Sequence, residues 1–227
     1  MPGFVKTYGD AAVAAEAIRR AAALRAGGVD TPYGRLGATP HEVVFDRIDG
    51  ESGFPLMREA GEDLLRCLAW VHACDVPDLP AYDPLKRIRP RIGLATADPV
   101  RAVLGEKVPT GTATLHGDLH VRQFVRESSG RVWIVDLDDM ALGPPEADLA
   151  NCAAHVMTAE ECGKTLWGER VGAMWRGLGM AFDADIFFQF LRFALVRRHL
   201  KLREAGRPDC EEKVVAYLRG SSNFSIL

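Results

Sequence analysis

Leu115-His116-Gly117-Asp118-Leu119-His120-Val121-Arg122-Gln123-Phe124, followed by Val132-Trp133-Ile134-Val135-Asp136-Leu137-Asp138-Asp139, is the stretch that decides the fold. Asp118 precedes the carboxamide of Gln123 by five residues, and an apolar, β-rich run then ends in Asp136. Gly117 permits a tight backbone path that a side chain would obstruct. A carboxylate after such a turn can accept a hydrogen bond from a substrate hydroxyl and orient it. The Gln123 amide oxygen and the Asp136 carboxylate are hard ligands suited to Mg²⁺, and Asp138 and Asp139 add charge that a second metal could offset. Asp-x-Asp-Asp also has a plain reading as turn chemistry. The joint spacing favours phosphoryl transfer, which needs an oriented hydroxyl and metal-held phosphates.

Working outward, Phe4 to Tyr8 reads as a strand closed by Gly9. Asp10 can cap an Ala-rich helix over 11–26 that Gly27-Gly28 stops. Glu42 to Asp46 reads as a second strand, and the turn-rich Asp49 to Gly53 as a boundary. The spacing of Leu64, Leu65, Leu68 and Val71 predicts a helix over 62–73. A Pro-rich connection follows, then a short helix near 98–106 and strands near 113–116, 122–126 and 131–136. The last third reads as helices over 147–158, 160–178, 185–204 and 210–218, with Ile186, Phe187, Phe190, Leu191, Ala194 and Leu195 on one buried face.

The bulk properties exclude several classes. A net charge of −3 over 227 residues gives no broad attraction to nucleic acid or anionic membrane, and Arg87, Arg89 and Arg91 read as solvated faces or local anion contacts. No apolar run approaches the ~20 residues that span a bilayer. No secretion signal is visible, and the five cysteines (Cys67, Cys74, Cys152, Cys162 and Cys210) read as reduced core residues of a cytoplasmic protein. Gly163-Lys164-Thr165 ends like a phosphate-binding loop but lacks its earlier Gly and its strand. His116 and His120 lack the intervening Glu of a zinc helix, so His116 reads as a hydrogen-bonding scaffold for the loop.

His116-Gly117-Asp118-Leu119-His120, Val135 to Asp139 and Gly143-Pro144-Pro145-Glu146-Ala147-Asp148-Leu149-Ala150 together resemble the aminoglycoside phosphotransferase family. That family is a branch of the protein-kinase-like fold that also holds choline, homoserine and maltose kinases. The resemblance implies an α+β, bilobal fold: a small β lobe over 1–50 and a larger, mainly helical lobe over 51–227. It implies Asp118 as catalytic base, Gln123 and Asp136 as Mg²⁺ ligands with Asp138 beside them, and Asp148 as the acid that braces the catalytic loop. Asn is the common family residue at position 123; Gln keeps the amide oxygen and adds a methylene. Val5-Lys6-Thr7-Tyr8 resembles the strand carrying the nucleotide-binding Lys, Glu16 matches the acid that pairs with it, and Val43 to Arg47 the hinge, which puts the adenine near Phe45.

The resemblance further implies ATP, or GTP, as donor and a small-molecule hydroxyl as acceptor. A polycationic acceptor would draw on acids such as Glu160, Glu161, Asp183 and Asp185, which otherwise read as solvated helix residues. The sequence begins at what resembles the third strand of the small lobe, so the first two strands and their Gly-rich turn are absent from it. The strand of Lys6 is then an open edge, expected to be covered by a partner chain or a homodimer contact. The competing expectation is a catalytically weak nucleotide-binding or regulatory protein of the same fold.

Overall fold

The computed structural model describes residues 3–158, 167–206 and 211–220. Three antiparallel strands form the first sheet: β1 (Phe4–Thr7), β2 (Gly34–Leu36) and β3 (Glu42–Phe45), in the order β1-β3-β2. Between β1 and β2 runs α1 (Ala11–Ala26). Asp10 caps it by accepting the Ala12 N–H at 2.6 Å, and Gly27 closes it. The first half of α1 packs Ala14 and Ala17 on Val43 and Tyr8 as a small cluster, whereas Ala21 and Leu24 further along enter the main core. The helix therefore ties the sheet to the rest of the molecule. On its outer side β1 pairs with no strand among the described residues, and Phe4 and Val5 are exposed.

A second sheet, in the order β4-β6-β7, comprises β4 (Glu51–Ser52), β6 (Phe124–Arg126) and β7 (Val132–Ile134). β5 (Ala113–Leu115) pairs with β8 (Ala141–Gly143). The loop that holds Asp118 leaves β5, and the loop that holds Asp136 joins β7 to β8, so these two pairings bring the loops side by side. α2 (Phe54–Ala73) starts eight residues earlier than the apolar stripe predicts, with Pro55 in its first turn and non-helical angles at Ala60 (φ −133°, ψ 29°). The regular stripe begins only beyond that kink, which is why the first segment escapes a periodicity reading. α3 (Asp98–Ala102) and a 3₁₀ turn over Val103–Gly105 match the short helix expected there.

α4 (Glu146–Met157), α5 (Trp167–Gly177), α6 (Ala184–Glu204) and α7 (Glu211–Gly220) complete the larger part. α4 packs chiefly on α6, both contributing to a core that includes Trp175, Phe187, Phe190 and Phe193. The helix expected over 160–178 is described from Trp167 onward; Glu160, Glu161, Cys162 and Gly163 to Thr165 lie outside the described residues, as does Cys210. Cys67, Cys74 and Cys152 are free thiols, and burial pushes those of Cys67 and Cys152 up to about 12. Among the described residues no helix is long and apolar enough to cross a membrane.

Candidate active site

The Asp118 loop owes its shape to a glycine. Gly117 has φ +82°, and a Cβ there would lie 1.9 Å from the Asp139 carbonyl oxygen, so both the turn and the close approach of the second loop require the missing side chain. Asp148, buried at the start of α4, accepts the backbone N–H groups of His116 at 2.7 Å and Gly117 at 2.9 Å, with His72 Nε2 at 3.0 Å from the same carboxylate. His116 links the two loops. Its Nε2 lies 2.9 Å from the Val135 carbonyl, and its Nδ1 is 3.4 Å from the Asp118 N–H, which assigns the ring proton to Nε2. Asp148 thus holds the start of the Asp118 loop, and His116 ties that loop to the second one.

Two guanidinium groups converge on the Asp118 carboxylate. Arg87 reaches Oδ2 at 2.7 Å and also binds Asp139; Arg197, from α6, binds Oδ1. Asn151 on α4 holds the Leu119 carbonyl at 2.7 Å and lies 3.4 Å from Oδ1. Burial works against ionisation of Asp118, but Arg197 and Arg87 outweigh it and hold its carboxyl down to about 2. Of the three arginines read together from the sequence, only Arg87 joins this site. Arg89 pairs with Asp83 and Arg91 with Glu204.

On the second loop Asp136 sits in left-handed backbone (φ 66°, ψ 61°), a conformation costly for a residue with a Cβ and one that fixes the direction of its carboxylate. Lys6 Nζ lies 2.6 Å from Asp136 Oδ1 and 2.5 Å from Asp138 Oδ2, and the Tyr8 hydroxyl donates to Asp138 at 3.0 Å. The burial of Lys6 opposes its charge, yet the two carboxylates hold its pKa above the ordinary value.

The expected pairing of Lys6 with Glu16 is not what the structure shows. Glu16 is held by Arg19 and by Arg20 at 2.9 Å, its neighbours along α1, and Arg20 also donates to the Asp138 carbonyl at 2.7 Å. Two carboxylates therefore take the lysine, while two guanidinium groups of its own helix take the glutamate. Asp183 and Asp185, expected as contributors to an acidic acceptor surface, stand at the start of α6, where Asp183 caps the helix at Asp185 N and Ile186 N. Arg197 is twelve residues beyond Asp185 on α6, about 18 Å along the axis.

Gln123 is buried in a 3₁₀ turn. Its Oε1 accepts the His120 N–H at 2.8 Å, and its carboxamide hydrogen-bonds the Asp136 side chain. Among the described residues no group of three or more His, Cys, Asp or Glu is placed to hold a metal ion. The donor set is instead two carboxylates, Asp136 and Asp138, and one lone pair left on Gln123. That set fits Mg²⁺, which takes one or two protein carboxylates and fills its remaining positions with water and phosphate oxygens.

Of three cavities that meet at Asp138, one lies against α1 beside Tyr8 and Glu16, and the other two border the Asp118 and Asp136 loops. The larger, about 410 Å³, is mostly apolar, with Phe45, Ile48, Val135 and Leu137 in its walls and Lys6 and Asp136 at its polar end. The smaller, about 190 Å³, is lined by Tyr82, Lys86, Arg87, Gly117, Asp139 and Arg197 among others. Phe45, expected near the adenine, stands in the wall of the larger cavity. Arg87, Arg197 and Asn151 carried no local signal, because each arrives from a different element.

A model of the phosphotransferase enzyme family (APH) matches residues 6–184, and the chain belongs to that family. Solved structures with the same fold include choline kinase LicA from Streptococcus pneumoniae (14% identity, TM-score 0.66, 95% of this chain and 85% of that one). Aminoglycoside phosphotransferase APH(3'')-Id from Streptomyces rimosus, in complex with ADP and streptomycin, is 18% identical with TM-score 0.61 over 86% of this chain and 87% of that one. A choline/ethanolamine kinase family protein from Mesorhizobium loti is 17% identical with TM-score 0.62 over 97% and 80%. No curated protein matches the chain in sequence.

Proposed function

We propose that this protein is an ATP-dependent O-phosphotransferase that moves the γ-phosphoryl group to a hydroxyl of a small molecule, with GTP as the alternative donor. The observation that carries the reading is the meeting of the two cavities at Asp138, one ending in Lys6 and Asp136, the other walled by the two arginines that hold Asp118. The apolar cavity beside Phe45 suits a purine, and Lys6 at its end suits phosphate oxygens. Mg²⁺, when bound, offsets phosphate charge, and Asp136 and Asp138, with Gln123 beside them, are the residues that would hold it. The complexes of related folds with ADP or AMP support a nucleotide in the larger cavity.

Asp118 holds the acceptor hydroxyl in line. The hydroxyl oxygen forms the new bond to the γ-phosphorus, the bond from that phosphorus to the bridging oxygen breaks, ADP leaves, and the hydroxyl proton passes to Asp118 and then to water. A carboxyl held down to about 2 is ionised throughout the neutral range, so it orients the hydroxyl rather than removing its proton early. Asp118→Asn is expected to lower kcat about 10²- to 10⁴-fold with Mg·ATP affinity kept within a few-fold; loss of both together would sink the assigned role.

The alternative, a catalytically weak nucleotide-binding protein, is favoured by one observation: the Gln123 oxygen already accepts the His120 N–H. Tight Mg·ATP binding without transfer to any of a broad set of hydroxyl acceptors would select it. A homodimer contact along β1, which pairs with no strand on its outer side among the described residues and exposes Phe4 and Val5, is the arrangement that sedimentation velocity at two protein concentrations tests.

A further inference from the structure

We infer that the smaller cavity takes an anionic acceptor, a hydroxyl compound bearing a phosphate or carboxylate group, rather than a cationic or neutral one. This rests on the phosphotransferase reading and names the substrate class of the same site. Its basis is the local distribution of charge. Arg87, Arg197 and Lys86 line this cavity with Asp139, and Arg87 and Arg197 reach from it to the Asp118 carboxylate. Both carboxylates are already bound by guanidinium groups. Lys86 is exposed on the cavity wall, and Lys201 is exposed one helical turn past Arg197 on the same face of α6, near enough to His120 to act on its imidazole.

Neither lysine forms an ion pair among the described residues. Of the other charges that line the cavity, Arg20 pairs with Glu16, Asp83 with Arg89, and Asp138 with Lys6, which it shares with Asp136. What remains without an ion pair among the described residues is cationic: Lys86 on the cavity wall and Lys201 a turn past Arg197, beside two arginines already bound to carboxylates.

A polycationic acceptor finds the opposite of what it needs here. It would have to bring ammonium groups against Arg87, Arg197 and Lys86, while of the acids expected to attract it Asp183 and Asp185 lie at the far end of α6 and Glu160 and Glu161 lie outside the described residues. Like charges set against each other at a binding site cost several kcal/mol, which suffices to reject such partners. An anionic group beside Lys86 and Lys201 gains charge-assisted hydrogen bonds without displacing any ion pair.

Calorimetry on the full chain with glycerol 3-phosphate, glycerol and choline as probes, each with and without Mg·ATP, tests this. Glycerol 3-phosphate should bind at least about tenfold tighter than glycerol, since one hydrogen bond to a charged group contributes about that factor, and choline should bind no tighter than glycerol. In the double variant Lys86→Met, Lys201→Met the tenfold gap should close to within about threefold, with Mg·ATP affinity unchanged. Both lysines are exposed, so folding is expected to survive, and circular dichroism checks it. Choline or glycerol binding as tightly as glycerol 3-phosphate would overturn the inference; so would a double variant whose only loss is in Mg·ATP affinity, because the lysines would then serve the nucleotide. If glycerol 3-phosphate binds with this lysine dependence while Mg·ATP neither binds nor releases ADP with any acceptor, the phosphotransferase reading alone falls.

Discussion

The Asp148 carboxylate and the backbone of Gly117 are 2.9 Å apart, a hydrogen bond that fastens the turn before Asp118 to the first turn of α4. The same carboxylate takes the His116 N–H and faces the His72 ring, and it is buried. A buried charge is tolerable only when its lone pairs are filled in this way.

Asp148→Asn should therefore be costly despite its near-identical shape. The amide must turn an NH₂ toward one of these N–H donors, leaving it unsatisfied. The expected loss is about 2–4 kcal/mol in urea unfolding, and turnover falls with it because Asp118 is no longer held. An Asn variant as stable as the native chain would show that the charge at 148 is not what braces the loop.

Gly117→Ala probes the same loop from the other side. Left-handed backbone costs alanine roughly 1–2 kcal/mol, and the new Cβ would fall 1.9 Å from the Asp139 carbonyl oxygen, so the two loops must part. Displacement on the ångström scale costs about 10²-fold in rate. Expected, then, is a fall in kcat of that order with a smaller change in nucleotide affinity. A variant with native kcat would mean that the second loop yields at no cost to the chemistry.

The order Asp118, Gln123, Asp136 was legible because Gln123 and Asp136 flank one short hairpin, β6 and β7, and Asp118 lies only five residues ahead of Gln123. Asp148 came with the resemblance alone. α1 was legible to the residue because Asp10 and Gly27 mark both ends. β2, β4 and β8 were missed: with two or three residues apiece they hold no periodicity, and only pairing to a distant partner makes them strands. The arginines of Asp118 escaped for a similar reason, since Arg87 leaves a Pro-rich connection and Arg197 is one of many cations on α6. The Lys6–Glu16 pairing failed because position relative to a family pattern says nothing about local competitors, here Arg19 and Arg20.

Lys6→Met should separate stability from binding. The ion pairs to Asp136 and Asp138 are partly solvated, with side-chain exposures of 27%, 49% and 33%. Such pairs contribute under about 1 kcal/mol, so the urea midpoint should scarcely move. Nucleotide binding should instead weaken about tenfold or more, the value of one charge-assisted contact to phosphate. Titration with Mg·ATP reads the second effect, and unchanged affinity would remove Lys6 from the nucleotide site.

His155 gives the fold a defined acid sensitivity. Its ring stacks on that of His120 with centroids 4.7 Å apart, and it faces Arg198, Arg197 and Asp118. Burial first, then His120 and Arg198, push its pKa from 6.5 down to about 2. Between these values the unfolded chain holds a proton that the folded chain does not, so stability rises with pH across the window and falls on acidification below 6.5. One such group contributes a slope of up to about 1.4 kcal/mol per pH unit. Urea midpoints at pH 7, 6 and 5 should decline for the native chain and decline less for His155→Gln, whose side chain does not titrate. The carboxylates do not confound this comparison: Asp118, held near 2, keeps its stabilising charge over the whole range and loses it only under stronger acid. Equal slopes for the native chain and His155→Gln would mean that the imidazole takes up its proton within the fold as readily as in the unfolded chain.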